Sequence, residues 1–197
     1  SENEGERFDI RREVATVGFE TGSLLASPMP VPVVSGSGVL HIVFPTWVIV
    51  HDPQPRYVLA SSDDGGISFE YKTIFYVDDA PEAGEKKGGY RLVVNPTDPN
   101  HLCFIYLGDV DGDTDILFRE TFDAGETWSD AIILNDDPEG NDRMQDMLWA
   151  DFDSDGDLAV TWRDRRNGEG SGYEAASEFW GTVRKGDATD FSTNFNI

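Results

Sequence analysis

Two segments of this chain superimpose position by position: Ser62-Asp-Asp-Gly-Gly-Ile-Ser-Phe69 and Thr121-Phe-Asp-Ala-Gly-Glu-Thr-Trp128. Both read Ser/Thr-x-Asp-x-Gly-x-Ser/Thr-aromatic, and they stand 59 residues apart. A degraded third copy, Lys185-Gly-Asp-Ala-Thr-Asp-Phe191, sets its aromatic 63 residues after Trp128. A second series keeps the same step: Val39–Phe44, Pro99–Phe104 and Asp157–Trp162 end 60 and 58 residues apart. Ahead of each lies a turn-rich stretch (Ser35–Gly38, Asn95–Asn100, Asp153–Gly156), and ahead of that another short apolar run (Met29–Val34, Tyr90–Val94, Met147–Phe152). Two markers in phase demand one supersecondary unit repeated and stacked, because no such unit can bury its apolar face alone.

Each unit reads as strand, tight turn, strand, longer loop, strand, aspartate turn, strand. Short β-branched and aromatic runs between Gly, Pro, Asn and Asp clusters are strand signals, and no window sustains a 3.6-residue apolar period. Four antiparallel strands in a repeat of this length make a propeller blade. The sequence therefore predicts an all-β chain. An N-terminal segment, residues 1–27, carries one strand at Phe8–Val17, and three four-stranded blades follow at about 28–77, 90–134 and 147–197. Three blades do not close a ring, and an open ring leaves strand edges and a blade face uncovered. The expected architecture is a partial or open ring of a six-bladed propeller. Sequence beyond Ile197, a second copy of the chain (a homo-oligomer) or another partner would complete it.

Charge narrows the partners. With 38 acidic against 15 basic residues the net charge is −23, a surface that repels nucleic-acid phosphates and anionic lipid. No apolar run is long enough to cross a bilayer as a helix. Aromatic residues make up 12% of the chain, so this is a core-forming sequence rather than a disordered polyanion. The single cysteine, Cys103, makes no internal disulfide and reads as a small buried hydrophobe.

The two intact motifs are Asp boxes. Together with Asn135–Arg143 and Ala159-Val-Thr-Trp-Arg-Asp-Arg-Arg-Asn167 they resemble bacterial sialidase-like β-propellers with Asp-box (BNR) repeats, over most of residues 28–197. The resemblance implies a secreted, cell-surface or periplasmic protein with a carbohydrate or protein ligand. Within the motif, Asp64 and Asp123 accept backbone N–H groups, Gly66 and Gly125 allow positive φ, and Ser62 and Thr121 tie the turn. Phe69 and Trp128 then pack between blades. That is a structural role, and in the family the Asp boxes lie on the face opposite the active site.

Catalytic members of the family use an arginine triad, an Asp acid/base and a Tyr–Glu nucleophile pair. This chain has no Arg-Ile-Pro segment of the kind that supplies the first arginine, and no Tyr and Glu match the pair. Asp146 and Arg163 are catalytic candidates by position alone. The reading is a glycan- or protein-binding or structural module without a complete catalytic site. A fragment of an exo-α-sialidase or related glycoside hydrolase is the alternative.

Strand alternation gathers the longer loops on one face, called upper here, opposite the Asp boxes. It holds Trp47, Arg143, Asp146, Arg163, Asp164 and Arg165 as ligand-binding candidates, with Arg166, His51, Tyr90 and Trp149 nearby. Guanidinium groups can clasp the carboxylate of an acidic sugar bidentately; alternatively they neutralise neighbouring aspartates. Two runs offer sites to Ca²⁺: Asp151, Asp153, Asp155 and Asp157, which match the start of a calcium loop, or Asp109, Asp111, Asp113 and Asp115. Trp162 stands where a calcium loop would place its bidentate Glu, and the competing reading is a pair of Asp-rich turns. His41, His51 and His101 lack zinc-site spacing.

Overall fold

A computed structural model describes residues 13–14, 30–46, 55–77, 89–170 and 175–197. Its twelve strands form three four-stranded antiparallel sheets. Blade one is β1 (Val31–Val34), β2 (Leu40–Thr46), β3 (Arg56–Ser62) and β4 (Glu70–Tyr76). Blade two is β5 (Tyr90–Val94), β6 (Leu102–Val110), β7 (Asp113–Thr121) and β8 (Ile132–Ile133). Blade three is β9 (Asp146–Phe152), β10 (Leu158–Asp164), β11 (Glu178–Arg184) and β12 (Phe195–Asn196). Within each sheet the strands pair in chain order. The chain is thus a partial propeller. The expected strand at Phe8–Val17 lies outside the described residues apart from Glu13 and Val14.

The apolar pattern of each second strand records what covers it. In β6 the run Leu102-Cys-Phe-Ile-Tyr-Leu107 is buried at every position, because blade two is sandwiched. Leu102, Phe104 and Tyr106 join Val43, Leu59 and Ile74 of blade one. The alternate residues Cys103, Ile105 and Leu107 join Leu148, Ala150, Leu158, Val160 and Trp162 of blade three. A period of two with both parities apolar is the signature of a strand buried on two faces. The interface of blades one and two is rich in rings: Tyr57 lies 5.0 Å from Phe104 and 5.3 Å from Tyr90, and Phe75 lies 4.8 Å from Tyr106.

In β10, by contrast, Leu158, Val160 and Trp162 are fully buried while Ala159 is exposed and Thr161 and Arg163 are half-buried. The opposite end of the array is closed. Ile42, Phe44, Val58 and Ala60 on the outer side of blade one are all buried, with Val14 and Phe69 packed on them, and Tyr71 Oη donates to the Val14 carbonyl at 2.6 Å.

The Asp boxes join β3 to β4 and β7 to β8. Asp64 accepts from the amides of Ile67 and Ser68 and from Ser68 Oγ at 2.6 Å, while Ser62 Oγ both donates to Asp64 and accepts from the Gly66 amide. Thr121, Asp123, Gly125 and Thr127 repeat the arrangement. Hydrogen bonds from Ser68 and Ser62 hold the Asp64 carboxyl well below its ordinary range. Those from Thr121 and Thr127 bring Asp123 to about 2. Trp128 packs into the interface with blade one, and Phe191 of the degraded box into that with blade two. Gly125 has φ 89°, and a β-carbon there would run into Leu59 of the neighbouring blade.

One connection differs from expectation. The repeat reading puts a longer loop between the second and third strands of each blade, at Leu107–Thr114 in blade two, but this segment is a continued hairpin, with β6 running to Val110 and β7 starting at Asp113. Asp111 and Gly112 both take positive φ (52° and 86°). That is the two-residue Asp-Gly turn whose twist matches paired strands.

Candidate functional site

The upper end of blade three collects most of the predicted ligand residues. Asp146, at the start of β9, is fully buried and accepts from Arg163 Nε at 2.6 Å and Nη2 at 2.5 Å. Arg165, 1% exposed, reaches the same carboxylate at 3.4 Å and the Met144 carbonyl at 3.3 Å. Asp164 accepts from the Trp162 indole at 2.8 Å and from Arg166 Nη2 at 2.8 Å. Arg166 also binds Asp136 at 2.6 Å and lies 4.0 Å over the Trp180 ring. Arg143 donates its side chain to the Gly170 carbonyl and its amide to Asp113. The guanidinium groups of Arg163, Arg165 and Arg166 are therefore engaged with the chain's own carboxylates.

The backbone beside Asp146 is distorted. Met147 takes φ 51°, and the β9–β10 register shifts between Thr161 and Arg163. A left-handed non-glycine residue costs roughly 1–2 kcal/mol, and bulges and such strain gather at functional sites. The bulge sets Asp146 directly opposite Arg163. Three residues beyond Asp146, Trp149 is 57% exposed, with the Arg91 guanidinium 3.8 Å over its ring. Tyr90, another ring expected to be available, packs into the aromatic interface of blades one and two. Trp47 and His51 lie outside the described residues.

Next to this cluster, residues 134–145 fold a second polar network onto the start of β7. Asn135 Nδ2 bridges Asp115 at 2.6 Å and Asp137 at 2.9 Å, while its Oδ1 accepts the Ile116 amide. Asn141 and Gln145 also donate to Asp137. Burial pushes the Asp115 carboxyl up to about 6. The Asn135 hydrogen bond opposes that shift, and the charges of Asp113, Asp137 and Glu139 add to it. Asn135, Asp137 and Gln145 carry no sequence motif. The only linear signal is that a loop dense in Asp also holds three amide side chains.

The two predicted calcium runs do not converge. Asp153 caps the β9–β10 turn by accepting the Asp155 and Asp157 amides at 2.9 Å, and Asp157 accepts from Lys185 and the Gly186 amide. Gly156 of this turn sits against Asn95 and Thr97 of blade two. In the other run Asp109 and Asp111 are exposed at the hairpin while Asp113 and Asp115 are buried along β7. Among the described residues, the one His/Cys/Asp/Glu group close enough to share an ion is His101, Cys103 and Glu120. A cation already occupies it: Arg184 of blade three clasps both Glu120 oxygens, at 3.0 and 2.7 Å. Burial pushes the Cys103 thiol far up, disfavouring the thiolate a metal needs. Asn95 donates to His101 Nδ1 at 3.0 Å, leaving Nε2–H to donate to Glu120 at 2.9 Å. This cluster is a latch between blades two and three.

No family model and no curated protein matches the chain, but solved structures do. It is similar to a Hadza microbial sialidase (15% identity, TM-score 0.54, 83% of this chain and 36% of that one). It is also similar to the GH93 α-L-arabinofuranosidase of Fusarium graminearum (15%, 0.56, 89% and 50%). A third likeness is to an α-L-arabinanase of Penicillium chrysogenum (17%, 0.55, 87% and 49%). The chain spans about a third to a half of the length of these proteins. What they share with it at such identities is the fold, and that fold is three consecutive four-stranded blades of a β-propeller.

Proposed function

We propose that this chain is the glycan-binding part of a secreted or surface propeller and holds no complete glycosidase site of its own. The observation that carries this reading is the upper end of β9, where a rigidly clamped Asp146–Arg163 pair stands three residues from the exposed Trp149 ring. An aromatic face beside fixed polar groups suits a sugar, whose C–H face stacks while its hydroxyls bond. Because the arginines are paired internally and the chain carries net charge −23, the reading favours a neutral glycan over an acidic one. The outer face of blade three, with Phe179 and Phe195 exposed, is where further blades or a second copy would continue the ring.

Screening the chain on a glycan array tests this. Neutral oligosaccharides should bind, and Trp149→Ala should abolish binding without altering the fold. A blank array with folded wild-type protein removes the reading. The second reading, part of a sialidase or related glycoside hydrolase, is favoured by the strained Met147 beside buried Asp146. Sequence adjoining Ile197 should then supply the Tyr and Glu missing here, and a full-length protein inert on sialosides and arabinosides would sink it.

A further inference from the structure

Among the described residues, the buried side-chain oxygens that lack a hydrogen-bond partner are Asp115 Oδ2, Asn141 Oδ1 and Gln145 Oε1. All three belong to the one network around Asp137, and Asp115 and Gln145 are 2% and 0% exposed. Their orientation is fixed by their other ends. The amide nitrogens of Asn135, Asn141 and Gln145 are turned onto the carboxylates of Asp115 and Asp137, so a flip would set a carbonyl oxygen against an anion. Asn135 Oδ1 is already engaged by the Ile116 amide. What remains is acceptors only, on groups that are costly to bury unpaired. The counter-charge is thin: Arg166 stands 3.5 Å from Asp137 and is shared with Asp136 and Asp164.

We propose that the β8–β9 loop and the start of β7 form a binding site for a hard divalent cation of the Ca²⁺ class, liganded by Asp115, Asn141 and Gln145. Carboxylate and amide carbonyl oxygens are the ligand set such an ion takes, and no donor among the described residues satisfies these three atoms. The site lies apart from the Asp151–Asp157 turn and shares only Asp115 with the Asp109–Asp115 run, its other two oxygens coming from amides the sequence did not offer. A cation there would pin the 134–145 loop, and with it Arg143 and Asp146, against blade two.

The test is calorimetric titration of the whole chain, stripped with chelator, with CaCl₂ alone, alongside thermal melts. One Ca²⁺ per chain should bind and raise the melting temperature. Asp115→Asn should weaken binding at least tenfold, and Asp153→Asn, in the competing turn, should leave it unchanged. Asn141→Ala provides a second loss variant should Asp115→Asn fail to fold. Absence of heat and of any melting shift at millimolar Ca²⁺ overturns the proposal, since the oxygens would then be hydrated only. Loss of binding in Asp153→Asn with retention in Asn141→Ala overturns it equally.

Discussion

The aspartates of the two ends of this propeller behave as different residues. At the lower end Asp64, Asp123 and Asp153 find their partners within four residues, and their oxygens are taken up by the amides and hydroxyls of their own turn. At the upper end Asp146 meets Arg163 17 residues on, Asp113 meets the Arg143 amide 30 residues on, and Asp136 meets the Asn194 amide 58 residues on. These three lower carboxylates are completed locally and so build turns, whereas Asp157 at the same end takes Lys185 and the Gly186 amide 28 and 29 residues on. These three upper carboxylates are completed by distant segments, and Asp115 beside them incompletely; chemistry can only be sited where a group is held but not fully used.

The sharpest test of this contrast is Asp146→Ala. It strands two guanidinium groups in or near the core, and breaking a buried pair costs about 3–5 kcal/mol; denaturant titration should show a loss of that size. If it costs no more than a turn aspartate, the distinction fails. Gly125→Ala should cost about 2–3 kcal/mol, since it meets both a φ of 89° and Leu59 across the interface. Gly66→Ala, whose nearest neighbour lies at 3.8 Å, should cost about half as much, showing that one motif differs by what its blade faces.

Acid should act next. Burial disfavours the Glu120 charge, but the His101 and Arg184 hydrogen bonds overcome it and hold the carboxyl at about 2. A depressed carboxyl contributes stability above its unfolded value near 4.5, lost as pH falls toward 2. Discounted for solvent screening, this is on the order of 1–2 kcal/mol. Stability measured between pH 5 and pH 2 should fall less steeply in Glu120→Gln. The smallest expected effect is Asp153→Ala, about 0.5–1 kcal/mol from two lost turn hydrogen bonds, with a melting temperature equally responsive to Ca²⁺ before and after.

Much of the fold was legible because its determinants are local. The 59-residue step between Ser62 and Thr121 located equivalent turns, and those turns hold equivalent bonds. The doubled parity of Leu102–Leu107 against the single parity of Leu158–Asp164 matches the burial of β6 on both faces and of β10 on one. The Asp-Gly hairpin at 111–112 was readable in principle, yet the repeat logic expected a loop there, and the turn chemistry of two residues prevailed.

The sequence by itself determined strands, turns and the order of blades, since each depends on residues a few positions apart. Which of 38 acidic side chains would meet which of 15 basic ones depends on how three sheets stack, and no short-range pattern encodes that. Only the tertiary structure could place Arg184 on Glu120, clamp Asp146 with Arg163 and Arg165, and set Asn135 between Asp115 and Asp137. Partners that lie 17 to 64 residues apart are chosen by packing, not by propensity.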